Sequence, residues 1–408
     1  MILASHGSLL AVVLAVIATV FISSVAAESS VAKMTDFPSL LYVATPFSVC
    51  FGALLTPRTV ITDARCLYPF SNTSSVPDIV SGTLGPEYLM VALPTVNTSA
   101  AMHNVLLSTQ VYTTETQAGF RATTFLSLAA GLVDNSTFYA VNTSAVHAYY
   151  PQTQSSKSAQ QNFNVGIVTL KVPIKGAQLA SLQLDDLDAN TDGLTAISFP
   201  PPSTKTDAAS QQVLYKGMDL TMIQKTSVSS LKRKECDSDY MAAYGLSDMK
   251  SFPGHELPDK SSPIYCSKMY DNTTKCKIDT SITISNKGNT PNQISINLNS
   301  TILIIPRGSS VKIVSVGKPH IFELNDEPAS PCSSNGFIHF TRTGLYTDWI
   351  GWATRGSIAS NGSWVDKASS GNGLGDLFNP NGVAKLAPQL ATLTSVVAIV
   401  LAALTATF

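Results

Sequence analysis

At 408 residues the chain is long enough for two or three average domains. Its 26 lysines and arginines nearly cancel 27 aspartates and glutamates, and only 13% of residues are charged, so it carries no electrostatic footprint for nucleic acid. With 44% hydrophobic residues, 24 Gly and 22 Pro, it reads as a globular, loop-rich β protein rather than a disordered one.

Residues 8–22, SLLAVVLAVIATVFI, form an uncharged apolar run followed by SSVAA. Val25 and Ala27 stand at the small-residue positions of a signal-peptidase site, so residues 1–27 read as a signal peptide cleaved after Ala27. A transmembrane anchor is the weaker alternative, because the run is short and small residues follow it. Strand-like runs then recur between turn signals: 40–44, 53–62, 105–114, 165–172, 193–199, 301–306 and 311–317. That spacing argues for an all-β sandwich or barrel. Helical signals are confined to 229–245 and 344–356, where Leu345, Trp349 and Trp352 would share a face. Residues 357–381, with SNGS, SSGNGLG and NPNG, read as a flexible stalk.

From Leu386 to Phe408 there is no charge, and the run from Leu390 is apolar enough to fill much of a bilayer. With small residues at Asn381-Gly382-Val383 or Gly382-Val383-Ala384 and a short AKLAPQ spacer, residues 382–408 fit a removed glycolipid-attachment signal, with Asn381 taken as the attachment residue. A single-pass helix is the alternative; either one places the C-terminus on a membrane. Seven N-x-[ST] sequons, at Asn72, Asn97, Asn135, Asn142, Asn272, Asn299 and Asn361, agree with passage through the secretory lumen. Six cysteines suggest three disulfides, and spacing alone leaves their pairing open. No C-x-x-C or H-x-x-x-H spacing points to a metal, and no glycine-rich phosphate loop or other cofactor motif is present.

The segment Cys50-Phe51-Gly52-Ala53-Leu54-Leu55-Thr56-Pro57-Arg58-Thr59-Val60-Ile61-Thr62-Asp63-Ala64-Arg65-Cys66 resembles the first-barrel signature of trypsin-like serine proteases, C-G-G-x-L-I-x-x-x-x-V-L-T-A-A-H-C. Residues 162–171, NFNVGIVTLK, are similar to the family's N-x-D-I-A-L-L-K-L strand, and His147 to Pro151 resemble the H-P-x-Y segment before it. In the second half, residues 311–317 are similar to V-G-I-V-S-W-G, and 340–350 to Y-T-R-V-x-x-Y-x-D-W-I. The resemblance spans residues 36–352 in the family's order. It implies an all-β fold of two packed antiparallel six-stranded β-barrels with a short C-terminal helix. The first barrel would cover about 36–180 and the second about 190–350, within a domain of 28–356. It also implies the disulfides Cys50–Cys66, Cys236–Cys266 and Cys276–Cys332. Two loops are longer than the family's: the one before the Asn164 strand, which carries Asn72, Asn97, Asn135 and Asn142, and KPHIFELNDEPASP after Gly317.

Acyl transfer by this family needs a hydroxyl nucleophile, an imidazole base, a carboxylate that fixes it, and backbone donors for the oxyanion. Here the histidine position is Arg65, always protonated and unable to serve as a base. The aspartate position is the neutral Asn164, the serine position is Thr280, and Ile278 replaces the oxyanion-hole glycine with a residue that resists the backbone angles such a loop needs. Asp279 survives, but no I-V-G-G activation terminus lies near residues 25–38. His147, His255, His320 and His339 stand outside any T-A-A-H-C context, and Asp185, Asp186 and Asp188 read as a solvated acidic turn.

The sequence therefore implies a secreted, non-catalytic serine protease homologue, anchored by a C-terminal lipid at the extracellular face of the plasma membrane or the cell wall, that binds another secreted protein. The oomycete glucanase inhibitor proteins, inactive trypsin homologues, suggest by resemblance that the partner is a glycoside hydrolase and the effect is inhibition. The alternatives are a divergent active endopeptidase using Thr280 and a structural surface glycoprotein.

Overall fold

The computed structural model describes residues 29–46, 48–68, 83–95, 137–150, 163–187, 191, 193–200, 203–206, 213–217, 219–244, 264–268, 282–285, 293–296, 300–317, 320–323 and 336–366. The expected strand at 105–114 lies outside them.

Strand β1 (Ser29–Lys33) is followed by β2 (Leu40–Ala44), β3 (Val49–Thr56), β4 (Thr59–Thr62), the short helix α1 (Ala64–Leu67), β5 (Met90–Ala92), β6 (Phe138–Val146) and β7 (Gly166–Leu170). The run 53–62 is two strands rather than one, because the chain turns at Pro57-Arg58 and proline has no N–H to continue a ladder. Strands β2, β3, β4, β7, β6 and β5 close into a barrel with antiparallel neighbours throughout. Every residue of β2, β3 and β4 is buried, which explains why these segments read as continuous apolar runs rather than alternating ones. Alternate side chains go to opposite faces. Leu41, Val43, Leu54, Val60, Val91, Val141, Val168 and Leu170 fill the barrel, while Leu40, Tyr42, Phe51, Ala53, Ile61 and Ile167 face the second half of the molecule. Gly52 points inward, where a Cβ would lie 2.6 Å from Val60 Cγ1 and 2.9 Å from Leu41 Cδ1.

The second half contains β8 (Ser181–Leu182), β9 (Thr195–Ser198), β10 (Ser203–Thr206), β11 (Val213–Gly217), β12 (Met222–Ser227), α2 (Arg233–Tyr244), β13 (Ile264–Lys268), β14 (Ile282–Ser285), β15 (Gln293–Ile296), β16 (Ile302–Arg307), β17 (Ser310–Val316), β18 (His320–Glu323), β19 (Gly336–Thr341), α3 (Thr347–Ala353), β20 (Gly356–Ile358) and β21 (Trp364–Asp366). Among the described residues it does not close into a second barrel. It forms there a six-stranded sheet in the order β1-β12-β9-β16-β17-β8 and a three-stranded sheet β13-β19-β18, with β10-β11, β14-β15 and β20-β21 as separate pairs. The pairing of β8 with β17 is parallel. The sheet has two buried faces: Ile197, Ile302, Ile304 and Ile313 join the barrel's outer core, whereas Ala196, Leu303, Ile305 and Val314 pack with Tyr265, Ile338 and Phe340 of the three-stranded sheet.

The two expected helices occur as α2 and α3. On α3, Trp349 packs against the core and Ile350 is fully buried, but Trp352 is 37% exposed and does not share their face. The first part of the expected stalk, through Asp366, is instead the β20–β21 hairpin. Trp364 anchors it by packing on the core and donating from Nε1 to Thr354 Oγ1 at 2.7 Å. The Leu182 amide of β8 donates to Gly362 O at 2.7 Å, so the hairpin ties down that edge of the sheet. Contacts define one compact unit through Val365; the second, 366–408, lies outside the described residues beyond Asp366, and with it Asn381 and residues 382–408. Residues 1–27 also lie outside them, and among the described residues no helix is long and apolar enough to cross a membrane.

Candidate functional site

The site is built where α1, the start of β7 and the end of β17 meet. Asp63 caps α1, its side chain accepting the Arg65 amide at 2.8 Å. The next residue but two, Cys66, is bonded to Cys50 on β3 with Cα atoms 6.4 Å apart. Arg65 is thus held between a cap and a disulfide. Its Nε lies 3.5 Å from Asp63 Oδ1, with the Arg65 side chain 33% exposed and that of Asp63 3% exposed. A guanidinium in this place keeps its proton and can accept none.

Asn164 lies two residues before β7 and is completely buried, and among the described residues neither its Oδ1 nor its Nδ2 has a hydrogen-bond partner. The residue before it, Phe163, adopts a left-handed φ of 57°, and its amide donates to the Tyr346 hydroxyl at 3.0 Å. A bulky residue in that region is strained, and here the tie to Tyr346 holds it. Gly317, φ 98°, follows β17 and closes the site. A Cβ there would lie 2.5 Å from Asn164 Nδ2 and 2.8 Å from Asp63 Oδ2, so Asp63 and Asn164 crowd one point from two different elements. Tyr150 stands behind them, its ring edge-on to Tyr68 at 6.2 Å; burial pushes its phenol well above the ordinary range, with Arg65 acting in the opposite sense.

The structure therefore brings Asp63 and Asn164 to one point, with Arg65 held against Asp63. Thr280 and Ile278 lie outside the described residues, as do Cys276 and Cys332. Cys236 and Cys266 are bonded, with Cα atoms 5.3 Å apart, joining α2 to β13. Among the described residues no group of three His, Cys, Asp or Glu side chains could hold a metal.

The other histidines stand apart from this chemistry. His147 stacks on Phe163 at 4.5 Å, with Tyr346 and Trp349 rings 5.6 and 5.3 Å away. Burial lowers its pKa from 6.5 to about 4, so the ring is neutral at physiological pH. His339 is fully buried on β19, in register between Cys266 and His320. His255 lies outside the described residues. In the acidic turn, Asp185 and Asp186 are both exposed, as expected, and Asp186 is also ion-paired. Asp186 is the hub of an ion network, accepting from Arg342 Nη2 at 2.6 Å and from Arg233 Nη1, while Arg233 Nε lies 3.6 Å from Asp237. Arg342 is nearly buried and lies over the Tyr265 ring at 5.2 Å, and the Tyr265 hydroxyl donates to Asp185 O at 3.0 Å. Asp188 lies outside the described residues.

Of the sequons, Asn142 is exposed at a bulge of β6, and Asn361 is exposed in the β20–β21 turn, where its Oδ1 accepts from Ser363 N at 2.9 Å and Ser363 Oγ at 2.6 Å. Asn72, Asn97, Asn135, Asn272 and Asn299 lie outside the described residues. Sequence reasoning missed Asp63, although one signal for it was present: T-D-A-R-C carries aspartate where the family's T-A-A-H-C has alanine.

No family model matches the sequence, and no curated protein matches it. Among solved structures the chain is similar to the scabies mite inactivated protease paralogue S-D1, with a TM-score of 0.39 and 14% identity over 80% of this chain and 95% of that one. It is also similar to the scabies mite inactivated protease paralogue S-I1, with a TM-score of 0.37 and 13% identity over 79% of this chain and 97% of that one.

Proposed function

We propose that the protein is a trypsin-like serine protease homologue that has lost catalysis and acts as a protein-binding module on the cell surface. The observation that carries this reading is the chemistry at the two positions that the resemblance assigns to the base and its carboxylate: Arg65, its Nε turned to Asp63, and Asn164, a buried neutral amide. Neither can remove a proton from a nucleophile nor stabilise the imidazolium that acyl transfer requires. The closed first barrel and the Cys50–Cys66 and Cys236–Cys266 bonds support the fold part of the reading, and disulfides suit an oxidising, extracellular setting. Residues 1–27 direct the chain into the secretory pathway, the sequons receive sugar, and Asn381 takes the lipid anchor. The partner is a secreted protein, a host glycoside hydrolase such as a glucanase, which the bound module inhibits.

The test uses the processed protein released from a eukaryotic secretory host. It is expected to leave peptide substrates uncleaved, to resist labelling by a fluorophosphonate, and to retain and inhibit a purified secreted β-glucanase. Labelling of Thr280 would instead establish the divergent endopeptidase, and failure to retain any hydrolase would remove the inhibitor role.

A further inference from the structure

The carboxylate nearest the centre of the site belongs to a residue that the family pattern leaves as alanine. Asp63 is 2% exposed, yet its two oxygens serve two different neighbours. Oδ1 accepts the Arg65 amide at 2.8 Å and faces Arg65 Nε at 3.5 Å. Oδ2 turns the other way and crowds the space beside Gly317, 2.8 Å from the point where a Cβ would stand, with Asn164 Nδ2 at 2.5 Å from the same point. Among the described residues neither amide atom of Asn164 is hydrogen-bonded, and a buried polar group left so needs an explanation.

We propose that Asp63, and not Asn164, is the charge-positioning residue of this site: the negative charge has moved from the aspartate position of the family pattern to residue 63, and position 164 is neutral because Asp63 already occupies the space beside it. A second carboxylate at 164 would face Asp63 within a buried, low-dielectric pocket, and like charges so placed cannot both ionise without cost. Arg65 then follows from Asp63, because a carboxylate this deeply buried needs a cation, and a guanidinium reaches it from two residues on, within the one-turn helix that Asp63 caps. The three positions are one coupled set. Restoring the family's residues at 65 and 164 while Asp63 stays would rebuild the names of the triad and weaken the fold. The inference uses the pseudo-protease reading only to label positions 65 and 164; its physical content is the coupling between 63 and 164.

The test is a thermal-unfolding cycle on the full chain from a secretory host: wild type, Asn164→Asp, Asp63→Asn, and the double variant. Asparagine also caps helices, so Asp63→Asn removes the charge and leaves the cap. Asn164→Asp is expected to lower Tm by about 5 °C or more at pH 7. The double variant should regain at least half of that loss, since the carboxylate at 164 then stands alone. Losses that simply add, or an Asn164→Asp protein as stable as wild type, would overturn the proposal.

A second readout covers the case in which Asn164→Asp fails to fold. In Arg65→His the new imidazole should titrate above the usual value of about 6.5, as followed by NMR, and return toward it when Asp63→Asn is added. Tyr150 and Tyr68 are the other titratable groups gathered with Asp63 and Arg65, and they are present in both proteins. An imidazole pKa that is the same with and without Asp63 also defeats the proposal. Either failure leaves the binding-module reading intact, because that reading needs only that Arg65 and Asn164 cannot do acid–base work.

Discussion

A guanidinium at position 65 and an amide at 164 exclude proton transfer by their chemistry alone, whereas His147 is excluded by its surroundings. Its imidazole is wedged among Tyr149, Phe163, Tyr346 and Trp349, and the Tyr149 amide donates to Nδ1 at a long 3.4 Å. Burial depresses its pKa from 6.5 to about 4. For a base held neutral in the fold, the unfolded chain binds more protons between these two values. This contribution to stability is therefore complete above about 6.5 and declines as pH falls toward 4. His147→Phe keeps the aromatic packing without the titration. Urea midpoints measured from pH 7 to pH 4 should fall less steeply in that variant than in wild type; equal slopes would show that His147 protonation is not felt by the fold.

At the scale of elements, α1 holds the site through its cap and its disulfide, and the β20–β21 hairpin ties down the β8 edge of the six-stranded sheet. That hairpin had no periodic signal: GSI and WVD are three-residue strands separated by a polar turn. Trp364 supplies its attachment, with Nε1 bonded to Thr354 Oγ1 and its ring against Gly356. Trp364→Ala should cost about 2 kcal/mol, less than for a fully buried tryptophan because this one is only partly covered. Proteolysis of the native protein should then begin within 356–366. A variant that unfolds at the wild-type denaturant midpoint and resists cleavage there would show that the hairpin is not a staple.

For the whole molecule, the two halves share an apolar core, and within the second half an ion network ties three segments together. Asp186, in the segment after β8, links Arg342 at the end of β19 to Arg233 on α2. Its carboxylate is half exposed, so its worth is well below that of a buried pair, yet Arg342 is nearly covered and would lose its anion. Asp186→Asn is expected to destabilise by about 1–2 kcal/mol. Arg342→Met in the same background should recover part of that loss in a denaturant titration, and a double variant as unstable as the two losses combined would contradict the network.

The strands at 40–44, 165–172, 193–199, 301–306 and 311–317 were legible in the sequence because two-sided burial demands continuous apolar runs. The pairs Cys50–Cys66 and Cys236–Cys266 were legible through the family resemblance. Strands such as β1, β8 and β21 were not, since five residues or fewer of mixed polarity are stable only as additions to a sheet that already exists. By itself the sequence determined which groups can ionise or accept a proton, because that is a property of each side chain. The tertiary structure alone decided that Asp63 and Asn164 share one space, that the exposed Asp186 links two arginines, and that a six-stranded and a three-stranded sheet of the second half pack around a core of their own. Those outcomes depend on distances between residues far apart in the chain, and composition and spacing carry no such distances.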